Sequence, residues 1–356
     1  MQAIATLRPL TIGQMIDRTV RLYRRNFWTF LGIVALVQIP ILVLSLLNIS
    51  STFMDMFILL QNPLATPDVA TRNPILVQML SSLVSLASIF LTRFSSAALC
   101  LAVIHAMFGE TLSIGQAYRL MWERWQSVTG LALSLFIVGA ALVIFMFLGF
   151  FAFLLPGFML LGVLLFFTYV AAPLMIPVLM LERDGVWDSM QRTWYLAKRR
   201  LWALMGVMFV NMLFVSATVA GIQIVILTIF GVSIIDSVTT GDVDSNLAAT
   251  AVATVGVSAL ASVFMLPIQQ GLATILYVDL RVRCEGLDLA MAVSAPDSDP
   301  LDLLASAPRE ANGGQLVAGD EFGRFLGLGC APFLLIVLLY IAIFAIVFLI
   351  VGVAGF

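Results

Sequence analysis

Apolar residues in this chain come in long, almost uninterrupted runs, with neither the alternation of a half-buried strand nor the single stripe of a soluble helix. Seven runs, over roughly 27–49, 76–108, 128–154, 157–181, 201–235, 247–280 and 326–354, reach the length that a helix needs to cross a hydrocarbon core. In lipid a helix satisfies its own backbone groups, so each run predicts a transmembrane helix. The pattern as a whole predicts an all-α, polytopic integral membrane protein of about seven spans. The runs 76–108, 201–235 and 247–280 exceed a single crossing and must tilt, kink or continue past the membrane surface. Pro40, Pro173, Pro177 and Pro267 are the candidate kink points.

Three shorter segments follow a different rule. Over Ile12–Arg25, at 100° per residue, Ile12, Met15, Ile16, Thr19, Val20 and Tyr23 share one face, and Asp17, Arg18, Arg21, Arg24 and Arg25 share the other. Such a helix lies in the headgroup layer. Val186–Arg200 aligns with it without a gap: Arg18, Thr19, Leu22, Arg25, Trp28 and Gly32 match Arg192, Thr193, Leu196, Arg199, Trp202 and Gly206. Ile114–Trp125 repeats the opening TIGQ as SIGQ and keeps an apolar face through Tyr118, Met121, Trp122 and Trp125. The body therefore reads as three units in the same orientation, each an interfacial amphipathic helix followed by a transmembrane hairpin, over roughly 10–109, 112–182 and 185–283.

Composition and charge sharpen this picture. Of 356 residues, 62% are apolar and 11% charged, against about 25% charged in soluble domains. Sixteen of the 18 basic residues fall before the first span, in the second-to-third and fourth-to-fifth connections, or after the sixth span. The positive-inside rule then places the N-terminus in the cytoplasm and the C-terminus outside, and seven spans keep that bookkeeping consistent. The polar, basic first 26 residues do not have the form of a cleavable signal peptide. Residues 286–324, rich in Asp, Ser, Ala, Pro and Gly, predict a disordered cytoplasmic linker between a six-helix membrane domain at 1–285 and a C-terminal transmembrane helix within 325–356.

Three stretches carry a resemblance. LRPLTIGQMIDRTVRLYRRNFW, APLMIPVLMLERDGVWDSMQRTWYLAKRRLW and LYVDLRVRCEGLDLAM occur in that order across roughly residues 7–291. Together they resemble the glycerophosphoryl diester phosphodiesterase membrane-domain family, many members of which are bacterial membrane proteins. The resemblance implies a membrane scaffold in a bacterial cytoplasmic membrane. The enzymatic domain that gives the family its name relies on histidine and carboxylate motifs that bind a divalent metal. This chain has one histidine, His105, and no such motif, so the activity does not carry over.

No catalytic, cofactor-binding or metal-binding residues are expected. Phosphate loops, dinucleotide fingerprints, nucleophile elbows and metal motifs are all lacking, and Cys100, Cys284 and Cys330 read as scattered buried thiols. The oddity is Arg93, an arginine inside a span, where insertion costs roughly 2.5–3.5 kcal/mol. It reads either as an intramembrane polar site with Gln269 and Gln270, able to take an anionic headgroup, or as a side chain that snorkels or bonds neighbouring polar groups, with Gln38, Asn211 and Gln223 as further plausible partners. The basic faces offer lipid-headgroup contacts at Arg18, Arg21, Arg25, Arg192 and Arg199. Asp279, Arg281 and Arg283 form a helix-exit cluster, either a ligand site or an interfacial stop. A proton relay through His105 has only Arg93 as a further ionisable group at depth.

Three functions remain open. The first is a non-catalytic scaffold or accessory subunit of a membrane assembly, whose partners are anionic membrane lipids and other membrane proteins or itself, not nucleic acid. The second is a transporter or channel for a lipid or small amphiphile. The third is a lipid-acting membrane enzyme, which would need paired carboxyls from Glu182, Asp184 and Asp188 or from Asp279 and Glu285.

Overall fold

The computed structural model describes residues 9–61, 74–152, 171–240, 245–293 and 300–306, with residues 164 and 167. Every regular element among them is helical. In chain order these are α1 (Ile12–Arg25), α2 (Phe27–Gln61), α3 (Pro74–Met107), α4 (Ile114–Trp122), α5 (Trp125–Ala152), α6 (Ala172–Glu182), α7 (Val186–Arg199), α8 (Leu201–Thr240), α9 (Ser245–Glu285), α10 (Leu287–Val293) and α11 (Pro300–Ser306). Five of them contain segments long and apolar enough to cross a membrane: Phe27–Leu46, Ser82–Met107, Trp125–Leu148, Leu201–Val225 and Gly256–Glu285. That is the build of a multi-pass membrane protein. Ala172–Glu182 is apolar but short, and most of the remainder of the run expected at 157–181 lies outside the described residues, as does the whole run at 326–354.

Short helices start where the sequence supplies caps. Thr11 Oγ1 accepts from the Gln14 amide while Gln14 Oε1 accepts from the Thr11 amide, a reciprocal box that satisfies two donors at the start of α1. Ser113 and Gln116 repeat the arrangement at the start of α4. Arg24 and Arg25 at the end of α1, and Lys198 and Arg199 at the end of α7, place cations where the helix dipole is negative. Pro40 and Pro267 lie inside α2 and α9, and both helices continue through them.

α3 and α9 are the innermost elements. Of an apolar 18-residue stretch in each of their spans 56% is buried, against 28% for α2 and 17% for α5 and α8. α3, α6 and α9 touch one another pairwise; α2 packs against α3 and α9, α5 against α3 and α6, and α8 against α9. Small residues allow that approach: Ala97, Ala98, Cys100 and Ala102 on α3 and Ala273 on α9 are fully buried. Lipid tails are as apolar as leucine, so such close van der Waals contact between backbones, not hydrophobicity alone, holds membrane helices together. The outer helices turn large apolar side chains outward, among them Leu36, Ile137, Phe145 and Phe214.

The three short helices α1, α4 and α7 each precede a long one, and Trp28, Trp122, Trp125, Trp187 and Trp202, at or near their ends, are exposed. Their first side chains sit against glycines. A Cβ at Gly32 of α2 would lie 2.5 Å from Ile114 Cδ1 of α4, one at Gly130 of α5 would lie 3.0 Å from Val186 Cγ2 of α7, and one at Gly206 of α8 would lie 3.8 Å from Ile12 Cδ1 of α1.

The stretch expected as a disordered linker is corrected in its described part. Leu287–Val293 and Pro300–Ser306 are helical, and Leu287, Met291, Leu301 and Leu304 are buried against the body. Composition averaged over 286–324 hides this, because four aliphatic side chains at helical spacing suffice to dock two short helices.

Candidate functional site

Glu182 ends α6, and the next residue, Arg183, takes the left-handed conformation (φ 59°) that turns the chain into α7. Arg124 clamps this turn. Its Nη1 donates to the Leu179 carbonyl at 2.7 Å and its Nη2 to the Asp184 carbonyl at 3.2 Å, satisfying orphan acceptors at the end of α6. Burial, then the neighbouring Arg183 charge, pull the Arg124 pKa down against the pull of Asp184.

That turn aims Glu182 into the protein, where α7 and α9 supply its partners. Arg192 Nε donates to Glu182 Oε2 at 3.0 Å, and Tyr277 Oη donates to Glu182 Oε1 at 2.9 Å. Arg192 Nη2 also binds Glu285. Arg281 Nε donates to Glu285 Oε2 at 3.0 Å, and Arg281 Nη1 donates to the Leu304 carbonyl of α11 at 2.7 Å. The four charged side chains are at most 2% exposed. Two carboxylates face two guanidiniums, so the group is neutral overall. Burial pulls the Arg192 pKa down, but Glu182 and then Glu285 outweigh it and hold the guanidinium above its ordinary value.

The helix-exit cluster divides in two. At 100° per residue, Asp279 and Arg283 share a face of α9 and Arg281 points the other way. Arg283 Nε donates to Asp279 Oδ2 at 2.9 Å; Asp279 Oδ1 accepts from the Leu10 amide at 2.8 Å, and Arg283 Nη2 donates to the Leu10 carbonyl at 2.6 Å. This pair holds the residue before the α1 cap. Beside it α1, α8 and α9 enclose a largely apolar cavity of about 500 Å³ that includes Ile12, Arg200, Leu204 and Leu276. Arg281 is fully buried inside the Glu182 cluster, apart from the Asp279–Arg283 pair.

The basic faces divide as well. Arg21 and Arg25 are exposed, with Arg21 paired to Asp17, and Arg199 is exposed and donates to Tyr195 Oη at 2.6 Å. Arg18 is half-buried, its pKa pulled down by burial and then by Arg21. Arg192 cannot touch a lipid headgroup, because it is 2% exposed and bound to two carboxylates.

Arg93, Gln269 and Gln270, brought together on residue type alone, line one cavity of about 280 Å³ where α3, α6 and α9 meet, with Ser88, Thr92 and Pro173. No carboxylate lies within ion-pair distance of Arg93 among the described residues. Thr92 receives a hydrogen bond from Gln38 Nε2 at 3.3 Å, and the Ser88 and Thr92 hydroxyls donate back to their own helix at 2.7 Å. His105 Nδ1 lies 2.8 Å from Glu110 Oε2 at the end of α3, away from this cavity.

Sequence reasoning missed the charge cluster, although two signals were present. Tyr277, Arg281 and Glu285 repeat at intervals of four along one face of α9, and Arg192 interrupts the otherwise uncharged face of α7 formed by Ser189, Thr193 and Leu196. Compared with family models, with curated proteins and with solved structures, the chain matches none.

Proposed function

We propose that this chain is a non-catalytic integral membrane protein, a scaffold or accessory subunit of a membrane assembly. One observation carries the reading: Glu182, Asp279 and Glu285, the buried carboxylates that a lipid-acting enzyme would use, are each occupied by arginine. A general acid or base must reach the proton it moves. These carboxyls instead fasten α7 to α6 and α9, and α1 to α9, as structural joints.

The finer topology belongs to the same proposal. Seven spans form three units in a bacterial cytoplasmic membrane, with the N-terminus inside and the C-terminus outside. α1, α4 and α7 lie in the cytoplasmic interface, marked by their exposed tryptophans. The glycine contacts support a three-unit body. The long helix of the first unit receives the second unit's surface helix, the second receives the third's, and the third receives the first's. Such head-to-tail contacts close a ring. The resemblance of the three sequence motifs to the glycerophosphoryl diester phosphodiesterase membrane-domain family, without the enzyme, supports the same reading.

The test is gentle purification of the tagged protein from its own membrane, with mass spectrometry of co-purifying chains and a phospholipid-turnover assay on the same preparation. A stoichiometric membrane-protein partner and no turnover are the expected results. Turnover that disappears in Asp279→Asn would overturn the reading.

A further inference from the structure

We infer that the cavity at Arg93 is a binding site for an amphiphile with an anionic head, a carboxylate or a phosphate. This does not depend on the scaffold reading, since a subunit without catalysis can hold a lipid. The cavity lies deep in the span: at 1.5 Å per residue Arg93 is about 21 Å along α3 from Met107 and about 17 Å from Ser82. A guanidinium at that depth needs a counter-charge or a strong acceptor. The described residues supply no carboxylate within ion-pair distance, and the adjoining stretch 153–170 contains no Asp or Glu at all.

A second, independent observation points the same way. Gln270 is 4% exposed, lines the cavity, and its Nε2 donor has no partner. An unmet buried amide donor costs about 1–3 kcal/mol, so two donor groups on facing helices, one of them charged, await an acceptor. The hydroxyl protons of Ser88 and Thr92 are already spent on their own helix, which leaves the guanidinium, the Gln269 and Gln270 amides and the Ser96 hydroxyl to meet the ligand, with the guanidinium as the one charged group among them. A guanidinium suits a carboxylate or phosphate, whose two oxygens can take parallel N–H donors. Ile89, Leu266 and Pro173 supply apolar walls for the adjoining methylenes.

The experiment uses the full-length protein in a neutral detergent, titrated with radiolabelled oleate, with dodecyl phosphate and with uncharged dodecanol. Saturable binding of at least one anionic probe at one per chain, at least tenfold tighter than dodecanol, is expected. Arg93→Gln should weaken it tenfold or more and Gln270→Leu severalfold, while Arg93→Lys keeps part of it and the exposed control Arg119→Gln keeps all of it. The tighter of oleate and dodecyl phosphate identifies the head as carboxylate or phosphate, and equal binding means that either is accepted. Should Arg93→Gln fail to fold, Arg93→Lys and Gln270→Leu decide the question. Dodecanol binding as tightly as the anions, or Arg93→Gln and Gln270→Leu matching wild type, overturns the site.

Discussion

Glu182 and Arg192, ten residues apart on either side of a tight turn, form an ion pair whose side chains are 0% and 2% exposed. With Glu285 and Arg281 the pair makes a neutral set of four charges that fastens α6, α7 and α9. Removing one member leaves the others unbalanced in a low dielectric, whereas removing an opposite pair keeps neutrality.

Glu182→Leu should therefore destabilise by about 3–5 kcal/mol, the usual loss when one partner of a buried pair is removed. The double variant Glu182→Leu with Arg192→Leu should lose clearly less than the sum of the two single changes. Thermal unfolding of the four proteins in one detergent reads this directly. Simple additivity would mean that the pair is not coupled.

The docked α11 gives a second test. Leu304 is fully buried, and its carbonyl accepts from Arg281. Leu304→Ala should cost about 2–5 kcal/mol of local stability, by lost burial and the cavity left behind. Hydrogen exchange of residues 301–306 should rise sharply in the variant while α3 stays protected. Fast exchange of that segment in the wild type would show that it does not dock in solution.

Tyr118 links stability to alkaline pH. Its hydroxyl donates to the Ile33 carbonyl at 2.7 Å, and burial raises its pKa above the ordinary value against a smaller opposing pull from the nearby Ser95 hydroxyl. The folded state holds the phenol proton more tightly than the unfolded chain does. This contribution is thus fully present below pH about 10 and is lost as pH rises through the raised pKa. Tyr118→Phe should flatten that part of the decline measured between neutral and strongly alkaline pH. An unchanged slope would remove Tyr118 from the account.

Topology can be checked on a cysteine-free background. Arg21→Cys, Arg119→Cys and Lys198→Cys, one on each short helix, should all react with an impermeant maleimide from the cytoplasmic side of inverted vesicles and not from the outside of intact cells. Labelling of any one from the opposite side breaks the proposed parallel arrangement of units.

Gly32 tests the contact between the first two units. The nearest atom to a new Cβ is the flexible end of Ile114, itself 36% exposed, so Gly32→Ala should be tolerated. Gly32→Leu should lower the unfolding temperature, and adding Ile114→Ala should recover part of it. No recovery would mean that the clash lies elsewhere.

Periodicity alone determined much of this protein. Long apolar runs require helices because lipid offers the backbone no other hydrogen-bond partner. Thr11 with Gln14 and Ser113 with Gln116 announced two helix starts through local capping chemistry. Arg93 could be singled out because its cost depends on depth in one helix. The tertiary structure alone decided where charges end up. Whether Arg192 faces headgroups or Glu182, and whether Arg281 stops a helix or sits buried beneath α11, depends on how α7 and α11 dock onto α9. A sequence shows the face that a side chain occupies on its own helix, but burial is set by the neighbouring helix that covers that face.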